Sequence, residues 1–361
     1  MKRNSLRLFS VFISLLGCIQ VSTSPAYTAE AVTPLLNKLI EGAKAERVLN
    51  MLGSGIDDPK AWSKWEKAMR AKYGIDIQLK FTRGPAMPQM ASRLMQEFKA
   101  GKPPTTDLYI GSESHFMSLR QAGVLEGVNW AEISPAIPPG ALATDGVGAA
   151  FVSRMPGVSY NTKLVPKDKI PRVLDDLLDP RWKGKIASTP YAAAFDRAAM
   201  LLGDERVTKF LNELARANLA GLLRCSEEER IVSGEFALFG LTCGGGESEL
   251  LKTKGAPIDH VILEDLPIIG YWYLGVPKHS PHPNLAKLFT VFMLTEEAQK
   301  ILWEAEGYDL HLLRGTNTYR LVEGLRRRGI ELRVFGVQEV VGREKVAEAL
   351  RKKYQEILRN K

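Results

Sequence analysis

The sequence predicts a two-unit α/β protein with its ligand site at the carboxyl ends of parallel strands. Three observations predict it. Short apolar runs alternate with amphipathic segments from residue 46 onward, a second such alternation begins near residue 185, and small polar loops follow the strand-like runs. Strands separated by helices pair in parallel through right-handed crossovers, and such sheets bind ligands at the carboxyl ends of their strands.

In the first unit, residues 47–52, 75–81 and 107–110 read as strands, and residues 59–73 and 85–100 as the helices between them. Trp62, Trp65, Met69 and Tyr73 recur at spacings of three and four and so share one apolar helical face. Asp58-Pro59 supplies an N-cap and a first-turn proline. In the second unit, residues 185–187, 221–224 and 236–241 are the expected strands. Helices are expected over 193–202 and 205–218, and from Ser226, which has capping-box spacing to Glu229. Strand-like residues 258–263 and 271–276 follow, then an amphipathic helix over 283–304 carrying Leu285, Leu288, Phe289, Phe292 and Met293 on one side. The charged remainder ends in a helix over 343–358.

The chain has 361 residues, enough for about two domains, and 45% hydrophobic with 25% charged residues suits a globular protein. No later stretch approaches the ~20 apolar residues of a membrane-spanning helix. Lys2, Arg3 and Arg7 precede an apolar run over residues 8–16, the layout of a signal peptide. Small residues at Ser24 and Ala26 suit cleavage after residue 26, which makes the product periplasmic. The alternative is lipid anchoring through Cys18, which follows Leu15-Leu16-Gly17. Losing the leader lowers the net charge from +8 to about +5 with no tract of basic and aromatic residues, so nucleic acid is not an expected partner. Export leaves Cys225 and Cys243, for which a disulfide and two buried thiols are both open readings.

The expected first-unit strand-end loops are Gly53-Ser54-Gly55, Thr82-Arg83-Gly84-Pro85 and Gly111-Ser112-Glu113-Ser114, each opening a helix. Free N–H groups at helix starts favour anionic or strongly polar ligands. Arg83, the one cation in these loops, is the expected contact for an oxyanion. The second-unit loops contribute Thr189, Tyr191, Ser226, Cys243 and the Gly244–Gly246 run. The candidate ligand-binding residues are thus Ser54, Gly55, Arg83, Gly84, Ser112, Glu113, Tyr160, Thr189, Tyr191, Ser226 and Cys243. No Gly-x-Ser-x-Gly elbow and no histidine pair at metal-ligand spacing occur, so neither catalytic residues, nor a metal, nor a cofactor is expected.

The run Tyr160-Asn161-Thr162-Lys163-Leu164-Val165, followed by Leu174-Asp175-Asp176-Leu177-Leu178-Asp179-Pro180-Arg181-Trp182-Lys183-Gly184-Lys185-Ile186, resembles the extracellular solute-binding proteins of ABC importers, notably their ferric-iron-type branch. Further pieces agree in order: Arg93, Glu97 and Gly101 as R-x-x-x-E-x-x-x-G, the small turn Gly255-Ala256-Pro257, and His282-Pro283-Asn284 leading to Gln299. The resemblance spans residues 46–307. It implies a two-lobed, type II periplasmic-binding-protein fold, with residues 46–155 and 269–361 in lobe 1 and 156–268 in lobe 2. It also implies a monomer that captures a small polar or anionic solute and delivers it to a membrane permease. An exported enzyme and a sensory binding protein are the alternatives on the same fold. Iron-binding members place two adjacent tyrosines in the region that here spans residues 233–246, which has Phe236, Phe239 and Cys243 but no tyrosine. A tyrosinate site would have to draw on Tyr160, Tyr191, Tyr271 or Tyr273, so iron is not the expected ligand.

Overall fold

A computed structural model of the chain describes residues 32–241 and 244–360. The expected leader, Cys18 and Cys243 lie outside the described residues. The first unit opens with α1 (Pro34–Glu46), β1 (Val48–Gly53), α2 (Pro59–Tyr73), β2 (Gln78–Arg83), α3 (Met87–Lys99), β3 (Tyr109–Ser112), α4 (Glu113–Gln121), the short α5 (Trp130–Ile133) and β4 (Ala149–Arg154). The second unit holds β5 (Val158–Asn161), β6 (Ile186–Ser188), α6 (Ala193–Leu202), α7 (Asp204–Ala217), β7 (Leu219–Leu222), α8 (Glu229–Val232), β8 (Leu238–Gly240), α9 (Gly246–Thr253) and β9 (Ile258–Val261). The chain returns through β10 (Ile268–Gly275) to α10 (Pro283–Met293) and α11 (Glu296–Glu306). It ends with α12 (Asn317–Arg327), β11 (Arg333–Phe335), α13 (Val337–Val340) and α14 (Glu344–Arg359).

Strands β1 and β2 pair in parallel as expected. However, β3 joins a second sheet by pairing antiparallel with β10, which also pairs antiparallel with β4. The first unit is therefore mixed rather than purely parallel. Asp107 ties the two sheets together, accepting from the backbone N–H of Asn50 on β1 (2.6 Å) and lying 2.9 Å from the His282 ring at the entry of α10. In the second unit the order β7-β6-β8-β5-β9 has a parallel core of β7, β6 and β8, with β5 antiparallel to both its neighbours.

Each unit has its own apolar core. Trp62 and Trp65 on α2 meet edge to face, Trp62 stacks on Phe81 of β2 and on Phe289 of α10, and Trp65 is fully buried. This is the apolar face read from the three-and-four spacing. Trp182 is buried in the second core. The long helix expected over 283–304 is two helices, because Thr295 adopts an extended backbone and its hydroxyl accepts from the Ala298 N–H, starting α11 anew. The helix expected from Ser226 begins instead at Glu229: Ser226 has φ +72°, a left-handed turn incompatible with an N-cap.

The segment beyond residue 307 crosses from one unit to the other. α12 packs against Met155, Ile262 and Ile269 where the chain passes between units, β11 extends the first-unit sheet beside β10, and α13 lies on α4. Then α14 lies on α6 and α7 of the second unit, burying Tyr354 and Leu358, with Lys353 and the Tyr354 hydroxyl both bound to Asp204. The expected division placed this whole segment with the first lobe; α14 packs on the second because its apolar face meets that core.

Replacing Thr295 by Ala should cost about 1 kcal/mol by stripping the cap of α11. A urea midpoint unchanged from wild type would show that the cap carries no stability.

Candidate functional site between the units

β4 is buried along its whole length, yet it ends in an arginine. The cross-strand register places Gly270 of β10 opposite Arg154, so Trp272, two residues along β10, projects on the same face. The Arg154 guanidinium lies 4.3 Å from the Trp272 ring and 4.3 Å from the Tyr308 ring, held between two aromatic faces. Each such contact contributes on the order of 1 kcal/mol or more when desolvated. Trp272 in turn lies against Gly55, at the end of β1, the loop that the sequence put at the strand-end edge.

The second unit closes on this group through its glycine run. A Cβ on Gly246 would sit 2.4 Å from the Tyr308 ring, and one on Gly307 would sit 2.3 Å from the Gly246 carbonyl, so the units approach closely only because both positions are glycine. Gly307 also has φ +69° at the end of α11, which turns the chain so that Tyr308 faces α9. There the Tyr308 hydroxyl donates to the carboxylate of Glu247, in the first turn of α9. α9 is anchored below by a polar chain: Ser248 to Ser159 (2.7 Å), Ser159 to the His260 ring (3.1 Å), and the other ring nitrogen to the Met155 carbonyl (3.3 Å). Burial pushes the His260 pKa down to about 4, so this histidine is neutral and structural.

Glu228, just before α8, is 1% exposed, and neither of its carboxylate oxygens has a hydrogen-bond partner among the described residues. Burial pushes its pKa up to about 8; the nearby Glu247 adds to the rise and Arg154 opposes it. Arg154, Tyr308 and Glu228, all buried, and the half-buried Trp272 and Glu247 thus form one charged and aromatic group with members from both units and from the strands that cross between them.

A second contact joins the units beside this group. Glu113, buried at the start of α4, is ion-paired with Arg197 of α6. Burial lowers the Arg197 pKa to about 10 and raises that of the neighbouring Asp196 to about 7, with Arg351 of α14 3.4 Å from Asp196. His115 accepts from the Ser112 N–H as the partner of a capping box, and burial lowers its pKa to about 4.

Of the residues singled out from sequence, Gly55 touches the Trp272 side of the buried group and Glu113 forms the bridge between units. Ser54 lies in the same loop as Gly55. Ser112 caps α4. Arg83 departs from the expectation: its side chain is 81% exposed and pairs with Asp57 at 3.3 Å. The Gly84 N–H is bound to the Gly53 carbonyl at 2.7 Å, so it is not a free donor. Tyr160 and Thr189 are buried in the second unit, Tyr191 is exposed with its carbonyl bound to Gln355, and Ser226 is exposed. Cys225 is disulfide-bonded, and Cys243 lies outside the described residues. Sequence reasoning missed Arg154, Glu228, Glu247, Trp272 and Tyr308. One signal was available: a charge at the end of the strand-like run 149–154, two residues beyond its apolar stretch 149–152, has no solvated helix face to explain it.

Among the described residues no group of three or more His, Cys, Asp or Glu side chains is placed to hold a metal, and no helix is long and apolar enough to cross a membrane. Two surface depressions lie along the C-terminal segment, one of about 370 Å3 beside Lys345 and Lys353 and the other of about 400 Å3 between Met200 and Leu201 of α6 and the residues of β11 and α13.

Two outcomes follow from the buried charges. The folded chain keeps a proton on Glu228 up to about pH 8 that the unfolded chain gives up near the usual 4.5. Stability should therefore fall as pH rises through that window, and Glu228→Gln should flatten the fall and melt higher than wild type above pH 8. Parallel melting curves for the two proteins across pH 5–9 would mean the carboxyl is ionised in the fold. Glu113→Ala, which leaves Arg197 buried and unpaired, should cost about 3 kcal/mol and favour separation of the units. An unchanged radius of gyration in small-angle scattering, with unchanged stability, would remove the pair from the closure.

Known proteins share this architecture. Iron-bound HitA from Pseudomonas aeruginosa superposes with a TM-score of 0.65 at 20% identity, covering 85% of this chain and 99% of its own. The substrate binding protein of an ABC transporter from Agrobacterium tumefaciens gives 0.68 at 14% identity, covering 87% and 97%. AfuA from Actinobacillus pleuropneumoniae, with fructose-6-phosphate bound, gives 0.64 at 20%, covering 86% and 98%. No curated protein sequence matches the chain. Residues 64–222, which run from α2 to β7 and so across both units, match the bacterial extracellular solute-binding protein family. The fold is thus that of two-lobed periplasmic binding proteins, and residues 64–222 carry the similarity to the bacterial extracellular solute-binding protein family.

Proposed function

We propose that the chain is the substrate-binding component of an ABC importer, capturing a small polar solute between its two units and delivering it to a membrane permease. The observation that carries this is the buried charged group between the units. Arg154 and Trp272 come from the crossing strands, Tyr308 from the first unit, and Glu228 and Glu247 from the second. A binding protein needs a cleft whose two walls meet differently in open and closed states, and these side chains face one another only when the units are together. The family match and the ABC substrate-binding neighbours support the same reading. Such a protein works outside the cytoplasmic membrane, with the exported form soluble after loss of the first 26 residues. Binding and closure need no catalytic group, so the chain acts as a receptor rather than an enzyme.

A melting-temperature screen of the purified protein against small anions, phosphonates, polyamines, thiamine compounds and ferric salts tests this. A genuine solute raises the melting temperature with concentration, by about 2.7 kcal/mol of stability at a hundredfold excess over Kd. Turnover of a substrate, with no solute of any class stabilising the fold, would overturn it.

A further inference from the structure

We propose that Glu228 and Glu247 receive a protonated nitrogen head group of the solute, a primary ammonium or a guanidinium, so that the ligand is cationic at the end buried between the units. This rests on the receptor reading above and adds the chemical class of the ligand.

Three observations point there. First, Glu228 is an acceptor with no donor: it is 1% exposed and neither oxygen is hydrogen-bonded among the described residues. A buried carboxylate left without a donor costs several times what a satisfied one does, and a head group bearing two or three N–H bonds removes that cost. Second, the charge of the group decides the sign of its complement. Arg154 already answers the carboxylate of Glu247, and the proton that burial leaves on Glu228 is one that a bound cation can displace. A monocation that takes its place keeps the group neutral; an oxyanion would bury a negative charge beside two carboxyl groups. Third, the aromatic faces of Trp272 and Tyr308 are turned toward positive charge, as their stacking on the Arg154 guanidinium shows.

The anionic ligand suggested by the strand-end loops has no comparable seat. Arg83, its intended partner, is exposed and paired with Asp57, and the Gly84 amide is bound within the sheet. The arrangement also couples capture to closure. Glu228 and Glu247 belong to the second unit while Arg154 sits on the strand leaving the first, so a cation held by the carboxylates draws the second unit toward the aromatic pair.

The test uses the full exported chain with agmatine and 1,4-diaminobutane as cationic probes and citrate, inorganic phosphate and acetate as anionic ones. Binding is read by melting temperature and titration calorimetry. At least one cationic probe should stabilise the wild-type protein, and Glu228→Gln should weaken it more than tenfold while the ligand-free variant melts no lower than wild type. Glu247→Gln, read in the same way, keeps the comparison decisive if the first variant folds poorly. Cationic probes that bind equally well to both variants overturn the proposal. An anionic probe that binds specifically, with affinity unchanged by Glu228→Gln, overturns it too while leaving the receptor reading intact. Failure of both sets of probes counts against the cationic class and the receptor reading together.

Discussion

The packing of the Arg154 guanidinium between Trp272 and Tyr308 governs how the rest of the molecule is arranged. A guanidinium is tolerated at low exposure only where its charge is answered, and here that requires aromatic faces on both sides together with carboxylates drawn from the opposite unit. Meeting the requirement fixes the turn at Gly307 that delivers Tyr308, and the position of α9 that delivers Glu247. It also favours the absence of side chains at Gly246 and Gly307, where the two units touch.

The contact between units is polar at its centre and apolar in the two bodies that it joins. Within each unit the stabilisation comes from dense apolar packing, as around Trp62, Trp65 and Phe289 in the first and Trp182 and Phe195 in the second. Between them stand the Glu113–Arg197 pair and the Arg154 group. Charges of this kind add little net stability, because desolvation offsets most of the attraction. They do make an interface selective and reversible, as the proposed receptor role requires. An apolar seam of the same area would hold the units shut whether or not a solute were present.

The C-terminal segment adds a further constraint. It contributes β11 to the sheet through which the chain crosses, packs α12 on the crossing residues, and lays α14 on the second unit, where Lys353 and Tyr354 hold Asp204. The units are therefore linked by three passages of chain rather than two, and a motion that separates them must bend the stretch between β11 and α14.

Much of this was legible in the sequence for a local reason. The helix α2 follows its apolar spacing and the Asp58-Pro59 start to the residue, and the alternation of strands and helices in both units reflects periodicities that neighbouring residues set among themselves. The family motifs added the two-lobed arrangement. The sequence by itself could not show that β3 would pair with β10, more than 150 residues away, because antiparallel partners are selected by packing over long separations and leave no local mark. Nor could it show the split at Thr295, whose capping hydroxyl reads as one polar residue within a helical run. The site was least legible of all. Loops with glycine and serine announce themselves by composition, whereas Arg154, Glu228, Glu247, Trp272 and Tyr308 are scattered along the chain, and each alone has an ordinary explanation. Only tertiary structure decided their role, because the meaning of a buried charge depends on which other charges and rings the fold places within a few ångströms of it.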